Sequence, residues 1–360
     1  MRILLVNSER GFRGGEFQTA ALAKGLVERG IETHIAAARG SELARRMEGL
    51  MPVHRFRFER IPIKTPFGLR RLVGHAGVDL VHAQTSGAHS HVRIALIGLD
   101  DAPPLVVSRR VAFHTSGGLA GRLKYRSGVT RFIPISEAAA RSLRNAGVPD
   151  DRMTIIPSGV DVSLLRGATG DRRLLGEWGV GEGSAVVGTV AALESEKGLD
   201  VLVEAAGLVM RSRDDSLFVI LGEGKERRRL ERLIADAGLV GRVVLGGPAE
   251  RLERALPLFT IFVLPSLEEG MSTSLAAAMA AGRPVVATKT GGIPEVVGER
   301  AALLVPPGDS SALAEAISRL LDDPIERERL SVAGSERGRM FDIERTIEST
   351  IALYRSLLRA

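Results

Sequence analysis

Short apolar segments alternate with longer helix-like stretches in this chain, and the alternation occurs twice, over residues 1–165 and again over residues 185–305. Within most segments apolar residues follow one another directly, as they do in strands that are buried on both faces. Strands of this kind separated by helices predict a parallel sheet with helices on either side. A chain of 360 residues is long enough for two such domains. We therefore predict an α/β protein with two doubly wound parallel sheets.

The same patterns give the predicted bounds of the elements. Strands are predicted over Arg2–Val6, Thr33–Ala37, Leu80–Ala83, Leu105–Val107, Phe132–Ile135, Thr154–Ile156, Ala185–Val190, Leu217–Leu221, Val243–Leu245, Ile261–Leu264, Pro284–Thr288 and Ala302–Val305. Helices are predicted over Gln18–Arg29, Glu137–Asn145, Leu199–Arg211, Glu226–Ala237, Ser274–Ala281 and Ile343–Leu358. A polar, glycine-containing join near Arg166–Gly176 predicts an N-terminal domain of residues 1–165 and a C-terminal domain of residues 166–342. We expect the last helix, within residues 343–360, to pack back on the N-terminal domain.

The composition excludes several classes of protein. The chain has no cysteine, which excludes disulfides, cysteine-based metal sites and thiol nucleophiles. Its longest apolar run, near Ala255–Pro265, is too short to cross a membrane as a helix. The first residues lead straight into a predicted strand, without the pattern of a signal peptide. We therefore expect a soluble, cytoplasmic protein.

Positive charge is concentrated in the first part of the chain. Residues 1–165 hold 24 basic and 14 acidic residues, and the stretch Ala102–Ser136 holds six basic residues and no acidic one. Such a surface attracts anions, among them nucleic acid, anionic lipid headgroups and phosphorylated substrates. Alternatively, the arginines are only a solvated basic surface. Nucleic acid is the least favoured partner, because few aromatic residues accompany these charges.

Two loops before predicted helices carry glycines and a lysine. Gly14 and Gly15 precede the first helix, where a backbone without side chains can approach a ligand closely. The pattern differs from G-x-G-x-x-G, which argues against a dinucleotide site, and a plain tight turn is the alternative. Lys197 lies between a predicted strand and the next helix, where it can meet a diphosphate as a point charge or remain a solvated surface charge.

The most informative segment is residues 264–287. A strand ends at Pro265, Glu269 precedes a turn of small residues, and an alanine-rich helix begins near Thr273 and stops at Gly282. The helix is apolar nearly all round, which predicts that it is buried. Its first amides, at residues 271–274, have no intrahelical partner and are suited to bind a phosphate in a cleft between the two domains.

At this point the chain resembles the retaining glycosyltransferases of family 4, also called glycosyl transferases group 1, which have the GT-B fold. The resemblance extends over essentially the whole chain. Its motifs are Gly14-Gly15-Glu16, Ile155–Asp161, Glu196-Lys197-Gly198, Leu221-Gly222-Glu223-Gly224, Pro265–Ala287, Thr290–Val297 and Leu303–Asp309. The resemblance implies two Rossmann-like domains that face a central cleft and close about the join between them.

The resemblance also implies an activity, namely hexosyl-type transfer from a nucleotide-sugar donor with retention of configuration. It implies neither a cofactor nor a metal, and the chain contains no D-x-D motif. The expected catalytic residues are His114, Lys197 and Glu269. Lys197 would neutralise the diphosphate, Glu269 would bind the hydroxyls of the sugar, and His114 would lie near the reacting sugar. Contacts to the donor are expected from Gly14, Gly15, Lys197, Glu269, Gly270, Met271, Ser272 and Thr273.

Two positions depart from the family pattern. The second glutamate of E-x7-E, which usually binds the ribose, is replaced by Ala277, and the arginine before E-K-G is replaced by Ala192. We expect an enzyme of lipopolysaccharide or polysaccharide biosynthesis that glycosylates a cell-envelope glycan or a lipid-linked acceptor. Peripheral contact of the basic domain with the inner face of an anionic membrane is a further expectation. The departures keep a second hypothesis open, a catalytically impaired sugar-nucleotide-binding or scaffold protein. A sugar-nucleotide epimerase is disfavoured.

Overall fold

The computed structural model describes residues 1–59, 63–110, 124–125, 127–181, 183–249 and 251–359. His114 lies outside these residues. Contacts between residues divide the chain into two compact units. Unit 1 comprises residues 1–159 and 343–360, and unit 2 comprises residues 160–342.

Unit 1 is built on a six-stranded parallel sheet in the order β3-β2-β1-β4-β5-β6. Its strands are β1 (Arg2–Asn7), β2 (Glu32–Ala38), β3 (Val53–Phe56), β4 (Leu80–Ala83), β5 (Leu105–Arg109) and β6 (Arg131–Pro134). Its helices are α1 (Gly14–Glu28), α2 (Glu42–Met47), α3 (Lys64–Ala76), α4 (Ser86–Leu96), α5 (Glu137–Asn145) and, at the end of the chain, α15 (Ile343–Arg359). Successive side chains of β1 enter two separate cores, because Ile3 and Leu5 face one side of the sheet and Leu4 and Val6 face the other.

Unit 2 repeats this topology, with the order β12-β11-β10-β7-β8-β9. Its strands are β7 (Ala185–Val190), β8 (Ser216–Leu221), β9 (Val243–Leu245), β10 (Ile261–Leu264), β11 (Val285–Thr288) and β12 (Leu303–Val305). Its helices are α6 (Val162–Leu165), α7 (Arg173–Glu177), α8 (Leu199–Val209), α9 (Arg227–Asp236), α10 (Leu252–Ala255), α11 (Thr273–Ala280), α12 (Ile293–Val297), α13 (Ser310–Asp322) and α14 (Pro324–Gly338). Each unit therefore has a doubly wound sheet with the strand order of a Rossmann fold.

Two predicted elements of unit 1 differ from those observed, and one of its strands was not predicted. Helix α1 begins at Gly14 rather than at Gln18, because the Glu16 carboxylate accepts a hydrogen bond from the amide of Arg13 and stabilises an earlier first turn. The predicted strand Thr154–Ile156 is wrong. Its amides donate to the carbonyls of Phe132 and Pro134, but Pro134 has no N–H to donate in return and the ladder is incomplete. The sequence does not predict strand β3, because its residues, Val-His-Arg-Phe, do not form a continuous apolar run.

The last helix, α15, packs against α1 within unit 1. A Cβ added to Gly25 of α1 would lie 2.5 Å from Ile347 Cδ1, so the glycine allows the two helices to approach closely. Tyr354 is completely buried, and its hydroxyl is 2.5 Å from His82 Nδ1, while His82 Nε2 is 2.8 Å from Ser108 Oγ. This polar chain connects α15 with β4 and β5. Each described helix is either too short or too polar to span a membrane.

In unit 2, glycines allow the loops at the carboxyl edge of the sheet to pack against one another. Gly198 and Gly291 have φ angles of +58° and +52°, which favour glycine. A Cβ on Gly198 would collide with the carbonyl oxygen of Pro265, and a Cβ on Gly291 would collide with that of Glu269. The loops after β7, β10 and β11 are therefore in backbone contact.

We predict that His82 makes the stability of unit 1 sensitive to acid. Burial, with a smaller contribution from Arg110, lowers the pKa of His82 from 6.5 to about 3. Between these values only the unfolded chain binds a proton at this residue. Its stabilising contribution is therefore complete above pH 6.5 and decreases as the pH falls towards 3. Urea unfolding from pH 7 to 4 will show a loss of up to about 1.4 kcal/mol per pH unit from this group.

The His82→Gln variant will show a shallower dependence on pH, whatever stability it loses at pH 7. The matched substitution at an exposed histidine, His75→Gln, is the control. Parallel profiles for the native protein and His82→Gln would contradict the prediction.

We also predict that Gly198→Ala destabilises unit 2 by about 2 kcal/mol or more, because the alanine is strained at this φ and collides with backbone. Gly207 of α8 is a matched control. Its added Cβ would lie 3.8 Å from Leu239 Cδ1, an ordinary contact, so Gly207→Ala will be neutral or stabilising by roughly 0.5–1 kcal/mol. Denaturant unfolding measures both, and equal tolerance of the two alanines would disprove the packing argument.

Candidate functional site

The candidate site lies where the strand order of the second sheet reverses. Strands β7 and β10 are parallel neighbours, but β7 continues to β8 on one side and β10 continues to β11 on the other. In doubly wound sheets, ligands bind beyond the carboxyl ends of the strands at such a switch point. Lys197 follows β7 and Glu269 follows β10, so the topology brings both residues to this point.

Lys197 and Glu269 form an ion pair. Lys197 Nζ donates to Glu269 Oε2 at 2.7 Å, and the same oxygen accepts a bond of 3.4 Å from Ser266 Oγ. The Lys197 side chain is 20% exposed and that of Glu269 is 9% exposed, so the pair is largely screened from water and still accessible to a ligand through the lysine.

Backbone hydrogen bonds hold the two loops of the ion pair together. The amide of Leu267 donates to the carbonyl of Glu196 at 2.8 Å, and the amide of Gly292 donates to the carbonyl of Glu269 at 3.1 Å. Lys197 itself ends a short 3₁₀ turn, Ser195–Lys197, which leads into α8. The residues on both sides of the ion pair are therefore fixed by main-chain contacts.

Helix α11 begins immediately after Glu269. Ser272 is its N-cap, and the Ser272 hydroxyl accepts the amide of Leu275 at 3.2 Å. The amides of Thr273 and Ser274, at the first two helical positions, have no intrahelical partner. Gly270 and Met271 are buried in the turn that leads to the helix. Helix amides near a lysine form a surface suited to a phosphate group.

The predicted site residues fall into three groups. The structure brings together Lys197, Glu269 and the segment Gly270–Thr273 in unit 2. Gly14 and Gly15 lie in unit 1, in the first turn of α1. His114 is outside the described residues. Among those that are described, no group of three or more histidine, aspartate or glutamate residues is placed to hold a metal ion.

Unit 1 has polar residues at its own switch point, between β1 and β4, that sequence reasoning missed. Arg110 Nη2 donates to Gln84 Oε1 at 2.6 Å, and Nη1 donates to Ser158 Oγ at 3.3 Å. Arg110 Cδ lies 3.6 Å from the position of a Cβ on Gly15. Burial lowers the pKa of Arg110 to about 10. The acid-free stretch 102–136 was the available signal, but composition does not distinguish an enclosed arginine from a surface one.

The two departures from the family pattern have different surroundings. Ala277 is completely buried in α11. Ala192 is partly exposed, and the loop after β8 packs beside it, because the amides of Leu193 and Glu226 bond to the carbonyls of Glu223 and Leu193. This loop carries Lys225, whose Nζ is 2.9 Å from Glu194 Oε2. The Glu194 carboxylate raises the pKa of Lys225.

Two family models match the chain, one in each part. Residues 12–164 match glycosyltransferase family 4, and residues 184–323 match glycosyl transferases group 1. The chain is 31% identical to phosphatidyl-myo-inositol mannosyltransferase of Mycobacterium leprae over 76% of its own length and 72% of that protein.

Other curated relatives are matched over less of their length. The chain is 33% identical to 2-deoxystreptamine glucosyltransferase of Streptomyces kanamyceticus over 47% of this chain and 45% of that enzyme. For this relative and three others, the match spans between 38% and 63% of the relative's length.

Solved structures resemble the chain over nearly all of its length. A glycosyltransferase from Rickettsia africae has a TM-score of 0.86 at 17% identity and covers 99% of this chain and 98% of its own. Anabaena HepE in complex with UDP has a TM-score of 0.84 at 22% identity and covers 99% and 100%. At such identities the likeness shows the fold, and it confirms the predicted GT-B class with its two Rossmann-like units. The family models and the mycobacterial relative add the family itself: the chain belongs to the family 4 glycosyltransferases, glycosyl transferases group 1.

Proposed function

We propose that this protein transfers a sugar from a nucleotide-sugar donor to an acceptor hydroxyl, with retention of configuration and without a metal ion. The ion pair of Lys197 and Glu269 beside the first turn of α11 carries the proposal. It provides one cation for a diphosphate, one carboxylate for sugar hydroxyls and free helix amides for phosphate oxygens, all at the switch point of one sheet.

Each residue has a distinct role in this reaction. The nucleoside diphosphate is the leaving group, so negative charge develops on it as the glycosidic bond breaks, and the ammonium of Lys197 stabilises that charge. Glu269 accepts hydrogen bonds from the sugar and orients it. The amides at Gly270–Thr273 bind sugar and phosphate. His114 acts near the reacting sugar, a role that rests on the family resemblance alone.

Gly14 and Gly15 are proposed to approach the donor through their backbone. Gly15 lies in a helix, where glycine costs roughly 0.5–1 kcal/mol relative to alanine. Its φ lies outside the positive range, and the nearest atom to an added Cβ is at an ordinary contact distance of 3.6 Å. Neither conformation nor neighbours among the described residues require glycine at this position, and close approach of a ligand supplies a reason for it.

Lys225 is proposed to provide the second positive charge that Ala192 does not. The loop that carries Lys225 packs against residues 191–193, and its ammonium forms an ion pair with the carboxylate of Glu194. A diphosphate carries two to three negative charges, which one lysine neutralises only in part. A cation from the loop after β8 therefore offsets the missing arginine, while the ribose is bound without a carboxylate at position 277.

The proposed acceptor is a cell-envelope glycan or a lipid-linked sugar, reached at the inner face of the cytoplasmic membrane. Helix α3 and the residue before it expose two large apolar side chains, Ile63 at 62% and Phe67 at 75%. Lys64 and Arg71 on the same helix are basic. Exposed apolar groups beside basic ones suit contact with an anionic lipid surface. One relative, phosphatidyl-myo-inositol mannosyltransferase, is named for a lipid acceptor.

Ala277 and Ala192 favour a second candidate, a sugar-nucleotide-binding protein without turnover. Consumption of the sugar nucleotide in the presence of an acceptor distinguishes the two candidates. Both bind a sugar nucleotide, but only an enzyme consumes it.

We predict that a thermal-shift screen with UDP-, GDP-, ADP- and dTDP-sugars will identify a donor that raises the melting temperature.

With this donor, Lys197→Ala and Glu269→Ala will each lower turnover at least about ten-fold, since each removes a contact to the leaving group or to the sugar. Glu268→Ala, in the same loop and exposed, and Lys24→Ala, exposed on α1, are the matched controls and retain activity. Stabilisation by a donor without donor hydrolysis or transfer would favour the second candidate. Normal rates in both site variants would place the site elsewhere.

We further predict that the protein binds vesicles containing anionic phospholipid and dissociates as the salt concentration rises. Phe67→Ser will weaken this binding several-fold, because it removes an apolar group that enters the lipid. Ile325 in unit 2 is 81% exposed, and Ile325→Ser is the control. Cosedimentation measures the bound fraction. Equal binding to neutral and anionic vesicles would contradict the preference for anionic lipid, and no binding to either would dismiss the membrane contact.

A further inference from the structure

We propose that the ion pair between Lys197 and Glu269 favours the intact sugar nucleotide over the nucleoside diphosphate and promotes release of that product. This inference rests on the proposed function. It concerns what Glu269 does when no sugar is present, which is to occupy the lysine that a diphosphate requires.

The geometry makes Glu269 a direct competitor of the diphosphate. Its Oε2 is 2.7 Å from Lys197 Nζ, the distance of a strong charge-assisted hydrogen bond. Ser266 Oγ, at 3.4 Å, is the other described donor to this oxygen, and its bond is long. The ammonium has two further N–H groups, but its single positive charge is already neutralised by the carboxylate, so a phosphate oxygen gains the full attraction of Lys197 only when the carboxylate withdraws.

A nucleoside diphosphate alone leaves Glu269 in an unfavourable state. The Glu269 side chain is 9% exposed, so water replaces the lysine poorly when the ion pair is broken. A carboxylate that is enclosed and loses its cation is costly. The diphosphate can therefore bind Lys197 only if Glu269 is left without its cation. The free-energy cost of that state weakens the binding of the diphosphate.

An intact donor removes this cost, because its sugar hydroxyls donate to Glu269 while its diphosphate takes Lys197. Both charges are then satisfied by one ligand. After transfer the sugar has left with the acceptor and Glu269 again lacks a donor, so it returns to Lys197 and displaces the diphosphate. The loops on both sides are fixed by the bonds from Leu267 and Gly292, so this exchange needs side-chain motion alone.

Calorimetric titration with UDP, GDP, ADP and dTDP tests the proposal, with the nucleotide that binds the native protein best as the probe. Glu269→Gln keeps the shape of the side chain and removes its charge, so the Kd for that nucleotide will fall about ten-fold, which corresponds to about 1.4 kcal/mol. Glu268→Gln removes the same charge from the adjacent exposed residue. It will leave the Kd within about two-fold, since exposed charges are well screened.

The double variant separates competition for the lysine from a general change of charge. In a Lys197→Met background there is no ammonium for Glu269 to occupy, so Glu269→Gln will leave the Kd for the nucleotide unchanged. For the sugar nucleotide in the Lys197 protein, the same substitution will weaken binding, because the sugar loses its acceptor. Product inhibition of turnover will strengthen in parallel with the tighter binding.

Failure of this inference is distinguishable from failure of the proposed function. If the native protein binds a sugar nucleotide but Glu269→Gln binds the nucleoside diphosphate no more tightly, the site stands and the competition is overturned. An equal gain in Glu268→Gln, or a gain that persists in the Lys197→Met background, also overturns it. If neither the native protein nor Glu269→Gln binds any of the nucleotides or their sugars, both proposals fall. Thermal melting of each variant establishes that it is folded.

Discussion

The candidate site depends on the parallel pairing of β7 with β10. This pairing places the ends of two strands, and with them Lys197 and Glu269, at one edge of a sheet although 72 residues separate them in the chain. Parallel neighbours send their carboxyl ends in the same direction, so the loops that follow β7 and β10 meet at that edge. A lysine and a glutamate that would be ordinary surface residues in isolation thereby become a largely screened ion pair.

Close backbone packing of the loops preserves that arrangement. Gly198 and Gly291 allow the segments after β7 and β11 to contact the loop that carries Glu269, and any side chain at these positions would meet a carbonyl oxygen. The family motifs around Lys197 and Glu269 therefore have two kinds of residue. The charged residues are available to a ligand, and the glycines allow the close loop packing that keeps the charged residues in position.

Unit 1 uses its basic residues differently from what composition indicates. From composition alone, the acid-free stretch 102–136 is expected to be a surface, either solvated or attractive to anions. The structure encloses Arg110 beside Gln84 and Ser158 and buries Arg109, and burial lowers the pKa of Lys124 to about 8. Of these three, Arg109 is buried and Arg110 and Lys124 are partly buried, and buried His82 and Tyr354 lie close to Arg110. The sequence gives the charge of a side chain. The direction in which that side chain extends depends on how the strand before it ends in the folded protein.

By itself the sequence determined most of the strands, six of the helices and the parallel type of each sheet, because these follow from the periodicity of apolar residues and the placement of glycines within short segments. It also identified Lys197, Glu269 and the buried helix α11 as belonging together, through the order of the family motifs. It failed where the outcome depends on a partner far along the chain, as for Thr154–Ile156 opposite Pro134 and for the polar edge strand β3. Only the tertiary structure decided that Lys197 is bonded to Glu269, that Arg110 is enclosed and that Ala277 is completely buried. Contacts and burial depend on which segments pack against one another in the fold. These segments are far apart in the sequence, so no local sequence pattern shows that they meet.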